Sequence, residues 1–272
     1  GEMMILLNDL LRIDDAHQYK LHLACRNEDG INPLDEYVTS YSQWQSWNEW
    51  KGTKNDWTRD YVCAFMEFYP KRDHWLFGGV YKVLERGDRY TLEKDHTFEK
   101  YEGRLLVHFH RYQGMRGRGF RLENYLEDLE IAEILPRPYT GENFCGYENI
   151  NHDFNMLKVI YKNDRADWKA ALSSIKGVYL ISDKSNGKLY IGSAYGGMGI
   201  WSRWACYLET GHGGNEELMN LIGRNGIQYA RRNFKFSILE VMSMSMPDDL
   251  VIARESYWKS ILLTREYGYN KN

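Results

Sequence analysis

The sequence contains few cysteines and no long apolar run, and each of these absences excludes a class of protein. Its four cysteines show no C-x-x-C spacing, which predicts neither a disulfide framework nor a zinc site. No apolar run approaches the roughly 20 residues of a membrane span, and the amino terminus lacks the layout of a signal peptide. An apolar fraction of 43% and a charged fraction of 27% exclude disorder, collagen and coiled coil. We therefore expect a cytoplasmic globular protein with no membrane partner.

An excess of positive charge is also absent, because the 272 residues carry a net charge of −3. This value conceals an asymmetry between the two parts of the chain. Residues 1–165 hold 22 Lys and Arg against 28 Asp and Glu, whereas residues 166–272 hold 13 against 10. We expect any contact with a polyanion to involve mainly the second part.

Aromatic residues are abundant, at 15% of the chain, and four tryptophans lie close together near the amino terminus. Trp44, Trp47 and Trp50 are spaced three apart, which predicts one face of a helix. Together with Trp57, they would either pack in a core or form an aromatic cage around a base or a sugar. The sequence alone leaves both interpretations open.

The first part of the chain otherwise has the composition of β-strands. Three segments rich in β-branched and aromatic residues are predicted strands: 61–66, 75–83 and 104–112. An amphipathic segment near 155–175 precedes a new strand, so we place a domain boundary between 155 and 170. The expected domains are a β-rich target-recognition or DNA-binding domain with a helical amino terminus, residues 1–165, and a second domain, residues 166–272.

A basic segment without acids extends over residues 104–121. It contains five arginines, Arg104, Arg111, Arg116, Arg118 and Arg121. Phe109, Tyr112 and Phe120 are interleaved with them. Because arginine binds phosphate through a planar fork and aromatic rings stack on bases, this segment predicts contact with nucleic acid. The alternative is a surface strand and loop whose arginines pair with the nearby acids Glu123, Glu127 and Glu130.

The second part begins with a predicted β-hairpin. Residues 176–181 and 188–193 read as strands on either side of a Ser-Asn-Gly turn. Alternation places Tyr179 and Ile181 on one face of the first strand, and it places Tyr190 and Gly192 together on one face of the second.

Two charged residues lie on stripes that should face a core. Arg203 belongs to a predicted helix over residues 200–208, and Glu255 follows Val251 by one turn on the last helix. A charge in a core is costly unless it is paired or binds something. Arg203 and Glu255 would therefore form either a structural salt bridge or part of a site.

The order of these features resembles that of the GIY-YIG endonuclease family over about residues 174–272. The matching positions are Gly-Val-Tyr at 177–179, Tyr-Ile-Gly at 190–192, Arg203, Glu255 and Asn270. The resemblance implies a three-stranded antiparallel sheet flanked by helices. It also implies hydrolysis of phosphodiester bonds in double-stranded DNA with one divalent ion, Mg²⁺ or Mn²⁺.

The resemblance further implies the roles of individual residues. The expected catalytic residues are Tyr179, Tyr190, Arg203, His212, Glu255 and Asn270. Glu255 would be the metal ligand, Arg203 would bind a phosphate oxygen, and Tyr179 is our first choice for the base that activates water. Gly192 and Ser193 would contact the substrate, although many members carry Lys where this chain has Ser193. His212 is either a site residue or an ordinary loop histidine.

The first domain is faintly similar, over residues 60–135, to PUA-superfamily modules such as EVE and SRA-like domains. That similarity implies reading of a modified base in DNA, and hence a restriction or phage-defence nuclease. The expected fold class is α+β, with a β-rich PUA-like domain followed by a small GIY-YIG α/β domain. Alternatives are a non-catalytic nucleic-acid-binding protein on a degenerate nuclease fold, and a DNA-repair or homing-type GIY-YIG nuclease. The sequence does not decide whether the protein forms a homodimer.

Overall fold

The chain divides between Thr140 and Gly141 in the computed structural model, which describes residues 3–272. The boundary expected near residue 165 is about 25 residues too late. Residues 141–165 supply an edge strand and a helix to the second unit, and Phe154, Leu157 and Ile160 of that helix are buried in its core. Packing in the core of the second unit, and no local sequence pattern, assigns residues 141–165 to that unit.

The first unit combines one large sheet with short helices. Its helices are α1 (Leu7–Leu11), α2 (Pro33–Thr39) and α3 (Tyr41–Glu49). Its strands are β1 (Tyr19–Ala24), β2 (Tyr61–Glu67), β3 (His74–Arg86), β4 (Tyr90–Lys94), β5 (Leu105–His108), β6 (Gly119–Arg121) and β7 (Glu130–Ile134).

The seven strands form a mixed sheet in the order β6-β1-β2-β3-β5-β7, with β4 paired to the end of β3. Only β1 and β2 run parallel within this sheet. The predicted strands at 61–66 and 75–83 are confirmed as β2 and β3. The third predicted strand ends earlier, at His108, because the amide of Phe109 donates to the carbonyl of Asp73 and leaves the ladder.

Both faces of this sheet are buried, and the tryptophans contribute to one of them. Trp44 and Trp57 have no exposed surface, so they pack in the core and do not line a cage. Trp44 Nε1 donates to the carbonyl of Gly78 at 2.8 Å, and a Cβ on Gly78 would lie 2.4 Å from the Trp44 ring. Trp50 is 54% exposed.

Three of the five arginines in the basic segment make contacts within the first unit. Arg104 donates to the carbonyls of Leu135 and Lys100, and Arg111 donates to the carbonyl of Gly117 at 3.0 Å. These hydrogen bonds hold loops in place, so the two side chains are already engaged.

Arg118 is largely buried, with 17% of its side chain exposed. It forms an ion pair with Asp56 at 3.0 Å, and its guanidinium lies 5.0 Å and 4.6 Å from the ring centres of Trp50 and Trp57. Burial lowers the pKa of Arg118, although Asp56 opposes this shift. Arg118 was expected to contact nucleic acid, but its guanidinium instead stabilises the first unit through Asp56 and the two tryptophan rings. Arg116 and Arg121 are exposed.

The acids offered as alternative partners do not explain the basic segment either. Glu123 forms its ion pair with Arg59, outside that segment. Two parallel hydrogen bonds join the guanidinium of Arg59 to this carboxylate, and they hold the pKa of Glu123 well below its usual range, at about 2.

The second unit has one small sheet with helices on both faces. Its strands are β8 (His152–Asp153), β9 (Ile175–Asp183), β10 (Leu189–Ala194) and β11 (Phe234–Ser243). Its helices are α4 (Phe154–Lys162), α5 (Ala166–Ser173), α6 (Gly199–Thr210), α7 (Glu216–Asn225), α8 (Gln228–Asn233), α9 (Asp248–Ile261) and α10 (Thr264–Tyr267). None of the helices within residues 3–272 has the length and apolar character needed to cross a membrane.

The sheet of the second unit is antiparallel in the order β10-β9-β11-β8. The sheet has one strand more than the three expected, and the additional strand is the two-residue edge strand β8. The predicted alternation is confirmed. Tyr179 and Tyr190 belong to the core cluster that includes α6, whereas Val178 and Ile191 belong to the cluster that includes α9.

Candidate active site

The β9–β10 hairpin places a tyrosine directly against a glycine. Tyr179 and Gly192 are partners in the ladder between the two strands. A Cβ on residue 192 would lie 2.4 Å from both Cζ and the hydroxyl oxygen of Tyr179, closer than any real contact. The absence of a side chain at Gly192 therefore allows the phenol ring of Tyr179 to lie across β10.

The helix α6 carries Arg203 and Tyr207 one turn apart on the side that faces this tyrosine. The hydroxyl groups of Tyr179 and Tyr207 are 2.8 Å apart and share a hydrogen bond. Arg203 Nη2 donates to the Tyr207 hydroxyl at 3.2 Å, and the guanidinium lies 4.9 Å from the centre of the Tyr207 ring. A continuous hydrogen-bonded chain thus leads from the sheet through Tyr207 to Arg203.

Burial determines the protonation of the two hydrogen-bonded tyrosines. Loss of hydration raises the pKa of Tyr179 above its usual value of 10.0, and Tyr190 raises it further, while Arg203 opposes the shift. Burial likewise raises the pKa of Tyr207. Both phenols therefore keep their protons at neutral pH. This direction disfavours the role of Tyr179 as the base that deprotonates water.

Glu255 lies on α9, one turn after the buried Val251, and forms its ion pair with a lysine. Its Oε2 is 3.5 Å from Lys259 Nζ. Lys259 is only 5% exposed and also donates to the carbonyl of Asn272 at 3.2 Å. Throughout residues 3–272, no carboxylate lies within ion-pair distance of Arg203. The alternative of a structural Arg203–Glu255 salt bridge is therefore wrong.

Tyr179, Arg203 and Glu255 line one cleft of about 620 Å³ in the second unit. The structure brings together five of the residues expected from the sequence, Tyr179, Tyr190, Ser193, Arg203 and Glu255. Gly192 shapes the wall through Tyr179. The Arg203 guanidinium and the Glu255 carboxylate thus line the same cleft without forming an ion pair with each other.

Tyr190 differs from the other two tyrosines in having an uncommitted hydroxyl. Its ring lies 6.1 Å from that of Tyr207, and its side chain lines the cleft. Within the described part of the chain, no residue forms a hydrogen bond with the Tyr190 hydroxyl. This group is therefore available to a substrate or a water molecule.

The oxygen atoms of the cleft fit a small divalent cation. Mg²⁺ prefers oxygen ligands and is usually bound by one or two carboxylates, several waters and substrate phosphates. Glu255 is the carboxylate among the lining residues, and the hydroxyl groups of Ser193 and Ser202 lie in the same cleft. Glu255 would hold the ion, with water and phosphate completing its shell.

Two expected site residues lie elsewhere in the second unit. His212 follows α6, is not among the lining residues, and accepts a hydrogen bond from the amide of Gly214 at 2.9 Å. Asn270 is buried, and its carboxamide makes two 2.9 Å hydrogen bonds with the backbone of Ile191. Asn270 therefore fixes the last segment of the chain to β10, next to Gly192.

The sequence analysis missed two residues that the structure places at the site. These residues are Tyr207 and Lys259, which contact Arg203 and Glu255. Each follows an expected site residue by four positions, Arg203 in one case and Glu255 in the other. Because residues four apart on a helix are neighbours, that spacing was the available signal.

The chain resembles known endonucleases over part of its length. No family model matches it. It is 33% identical over 94 residues to the intron-associated endonuclease 1 of Enterobacteria phage T4, which corresponds to 35% of this chain and 36% of that protein. The chain thus spans about a third of the length of that relative.

Two solved structures are also similar. The catalytic domain of the homing endonuclease I-TevI is 33% identical, covers 35% of this chain and is itself covered to 96%, with a TM-score of 0.28. A mutant of the same domain is 30% identical, with coverages of 36% and 94% and a TM-score of 0.29.

The matched segment is about as long as the region that carries the GIY-YIG motifs. Within that region Tyr179, Tyr190, Arg203 and Glu255 converge on one cleft, and Gly192 makes room for the first of them. Identity of 33% over 94 residues to the endonuclease of phage T4 agrees with this arrangement. Through its second unit, the chain resembles the GIY-YIG endonucleases, as its sequence motifs predicted.

Proposed function

We propose that this chain is a metal-dependent DNA endonuclease that hydrolyses phosphodiester bonds in the cleft of its second unit. One observation carries the proposal. Arg203, Glu255 and Tyr190 line the same cleft. Among residues 3–272, no carboxylate forms an ion pair with Arg203, and no residue forms a hydrogen bond with the Tyr190 hydroxyl. The relative from phage T4 is itself described as an endonuclease.

Arg203 is placed to bind the phosphate group. Its planar guanidinium presents several N–H donors, and one of them is held by the Tyr207 hydroxyl. The remaining donors can bind the non-bridging oxygens, on which negative charge grows in the transition state. Positioned donors in a partly dehydrated cleft stabilise such charge more than water does.

Glu255 is placed to bind the divalent ion, Mg²⁺ or Mn²⁺. When bound, the ion supplies Lewis-acid stabilisation of the leaving 3′ oxygen. Lys259 holds Oε2 of Glu255 from the buried side, so the carboxylate has a fixed orientation before the ion arrives. Ser193, with its hydroxyl in the same cleft, is placed to donate to the phosphate.

The tyrosines have different roles in this mechanism. Tyr190 has the free hydroxyl in the cleft, so it orients the attacking water. Tyr179 is buried and bonded to Tyr207, so it positions Arg203 indirectly. Asn270 holds the edge strand β10 through two hydrogen bonds with the backbone of Ile191. His212, in the loop after α6, would contact the DNA beyond the cleft.

The first unit would select the DNA target. Arg116 and Arg121 are its exposed arginines within the basic segment. Reading of a modified base, with a restriction or phage-defence role, is the form of selection that we propose. The intron-associated relative favours a homing-type nuclease as the second candidate.

The Glu255→Gln variant should lose cleavage and keep DNA binding. The substitution removes the charge that holds the metal, so we expect the rate of nicking of supercoiled plasmid to fall about a thousandfold. Asp249→Asn is the matched control, since Asp249 is an exposed acid on the same helix. Nicking at the wild-type rate by Glu255→Gln would show that Glu255 does not hold the catalytic metal.

The Arg203→Lys variant tests the guanidinium fork. Lysine keeps the charge but loses the planar pair of donors, so we expect about a hundredfold slower nicking with an unchanged circular dichroism spectrum. Arg224→Lys, at an exposed position on α7, should cut normally. If Arg203→Lys unfolds the protein or retains full activity, Arg203 is structural and the proposed role is wrong.

The Arg116→Ala and Arg121→Ala double variant tests the first unit. Loss of two phosphate contacts should weaken DNA affinity and lower the slope of log affinity against log salt by about two. The measurement is fluorescence anisotropy across salt concentrations in the Glu255→Gln background, so that the DNA survives. Lys71→Ala with Arg72→Ala removes two exposed charges elsewhere in the unit and should change neither quantity. An equal effect of both pairs would mean that binding follows net charge alone.

A further inference from the structure

A second group of potential metal ligands lies at the start of the second unit. Glu142, Cys145 and His152 each offer one ligand atom, and these atoms all lie within 4.8 Å of one another. We propose that these three side chains bind a zinc ion that is separate from the catalytic metal. Water would complete the coordination, because the Glu142 side chain is 33% exposed.

The distance between His152 and Glu142 shows that small side-chain movements would allow both to bind one ion. His152 Nε2 and Glu142 Oε2 are 2.6 Å apart and share a hydrogen bond. Two ligand atoms of a tetrahedral zinc ion are about 3.3 Å apart, given bonds of about 2.0 Å. If Nε2 and Oε2 moved apart by less than about 1 Å, they would reach the separation of two zinc ligands.

The ring of His152 also shows what changes when the ion binds. Nδ1 accepts a hydrogen bond from the amide of Asn151 at 3.1 Å, so Nε2 carries the ring proton that Glu142 accepts. A neutral ring bound to zinc through Nε2 carries its proton on Nδ1 instead. The short contact with Asn151 must then open, and the proton that was shared with Glu142 is displaced.

The chemistry of the ligands selects zinc over magnesium. A thiolate and an imidazole suit Zn²⁺, whereas Mg²⁺ prefers a shell of oxygen atoms. Cys145 is half-buried, and its thiol is 3.5 Å from the carbonyl of Gly146, a weak partner that an ion can replace. Because of this thiol, the site should prefer a different metal ion from the cleft, where Glu255 offers a carboxylate.

The backbone around the ligands is already held in place. Trp168 Nε1 donates to the carbonyl of Glu142 at 2.8 Å, and Asn149 Nδ2 donates to that of Cys145 at 2.9 Å. His152 is 5% exposed and packs edge-on against Trp168 at 5.1 Å. Such supporting contacts orient metal ligands in proteins.

The position in the sheet separates the two metal sites. His152 belongs to β8, which is one edge of the order β10-β9-β11-β8, whereas the cleft is built on β9 and β10. Neighbouring strands are about 4.8 Å apart, so the strands of the two sites are about 10 to 14 Å apart. The zinc ion would fasten residues 141–151, which have little regular structure, to the edge of this sheet.

Cobalt provides a direct test, because a thiolate bound to Co²⁺ gives a charge-transfer band in the near ultraviolet. The full chain would be freed of metal by chelator dialysis and titrated with Co²⁺ and then with Zn²⁺. We expect a band that saturates at one equivalent, that Zn²⁺ abolishes and that excess Mg²⁺ does not. Cys145→Ser should remove the band, and Glu142→Gln, at a partly exposed position, should weaken Co²⁺ binding at least tenfold.

The controls distinguish this site from the cleft. Cys206 lines the cleft, so Cys206→Ser and Glu255→Gln should both keep the band. These two results hold whether or not the chain cuts DNA. Absence of the band in the wild-type protein, its persistence in Cys145→Ser, or its loss in Cys206→Ser would each overturn the proposal.

Discussion

The hydrogen bond between the buried hydroxyls of Tyr179 and Tyr207 is the constraint on which the candidate site depends. It joins β9, an inner strand of the small sheet, to α6, and the Tyr207 hydroxyl in turn accepts a hydrogen bond from Arg203. Two phenols can be buried here because each satisfies the other, whereas a lone buried hydroxyl would be costly. Gly192 is required for the same reason, since any side chain there would push the Tyr179 hydroxyl out of reach.

The sequence predicted the hairpin, its two faces and the helix that follows it. These features repeat with periods of two and 3.6 residues, so short stretches of sequence determine them. The domain boundary and β8 were missed because nothing periodic marks them. The strand β8 has two residues, and it exists because Phe236 of β11 is available as a partner for His152. Such pairing is a property of the folded unit.

The basic segment shows that residue type alone does not predict which arginines are exposed and which are structural. Arg116 and Arg118 are two residues apart in a glycine-rich loop, and the sequence gives them the same character. In the structure Arg116 is exposed, whereas Arg118 lies against two tryptophan rings and pairs with Asp56, 62 positions earlier in the chain. The group around Cys145 was missed for a related reason, because a single cysteine has no diagnostic spacing.

The chemistry of the cut ends tests the central claim most directly. The full chain would be incubated with plasmid DNA and Mg²⁺ in water enriched in heavy oxygen, and the ends would be examined by mass spectrometry. If the cleft hydrolyses phosphodiester bonds with the 3′ oxygen leaving, the cuts carry 3′ hydroxyl groups and 5′ phosphates that contain the heavy isotope. Uncut plasmid, or cuts that end in 3′ phosphates, would contradict the account.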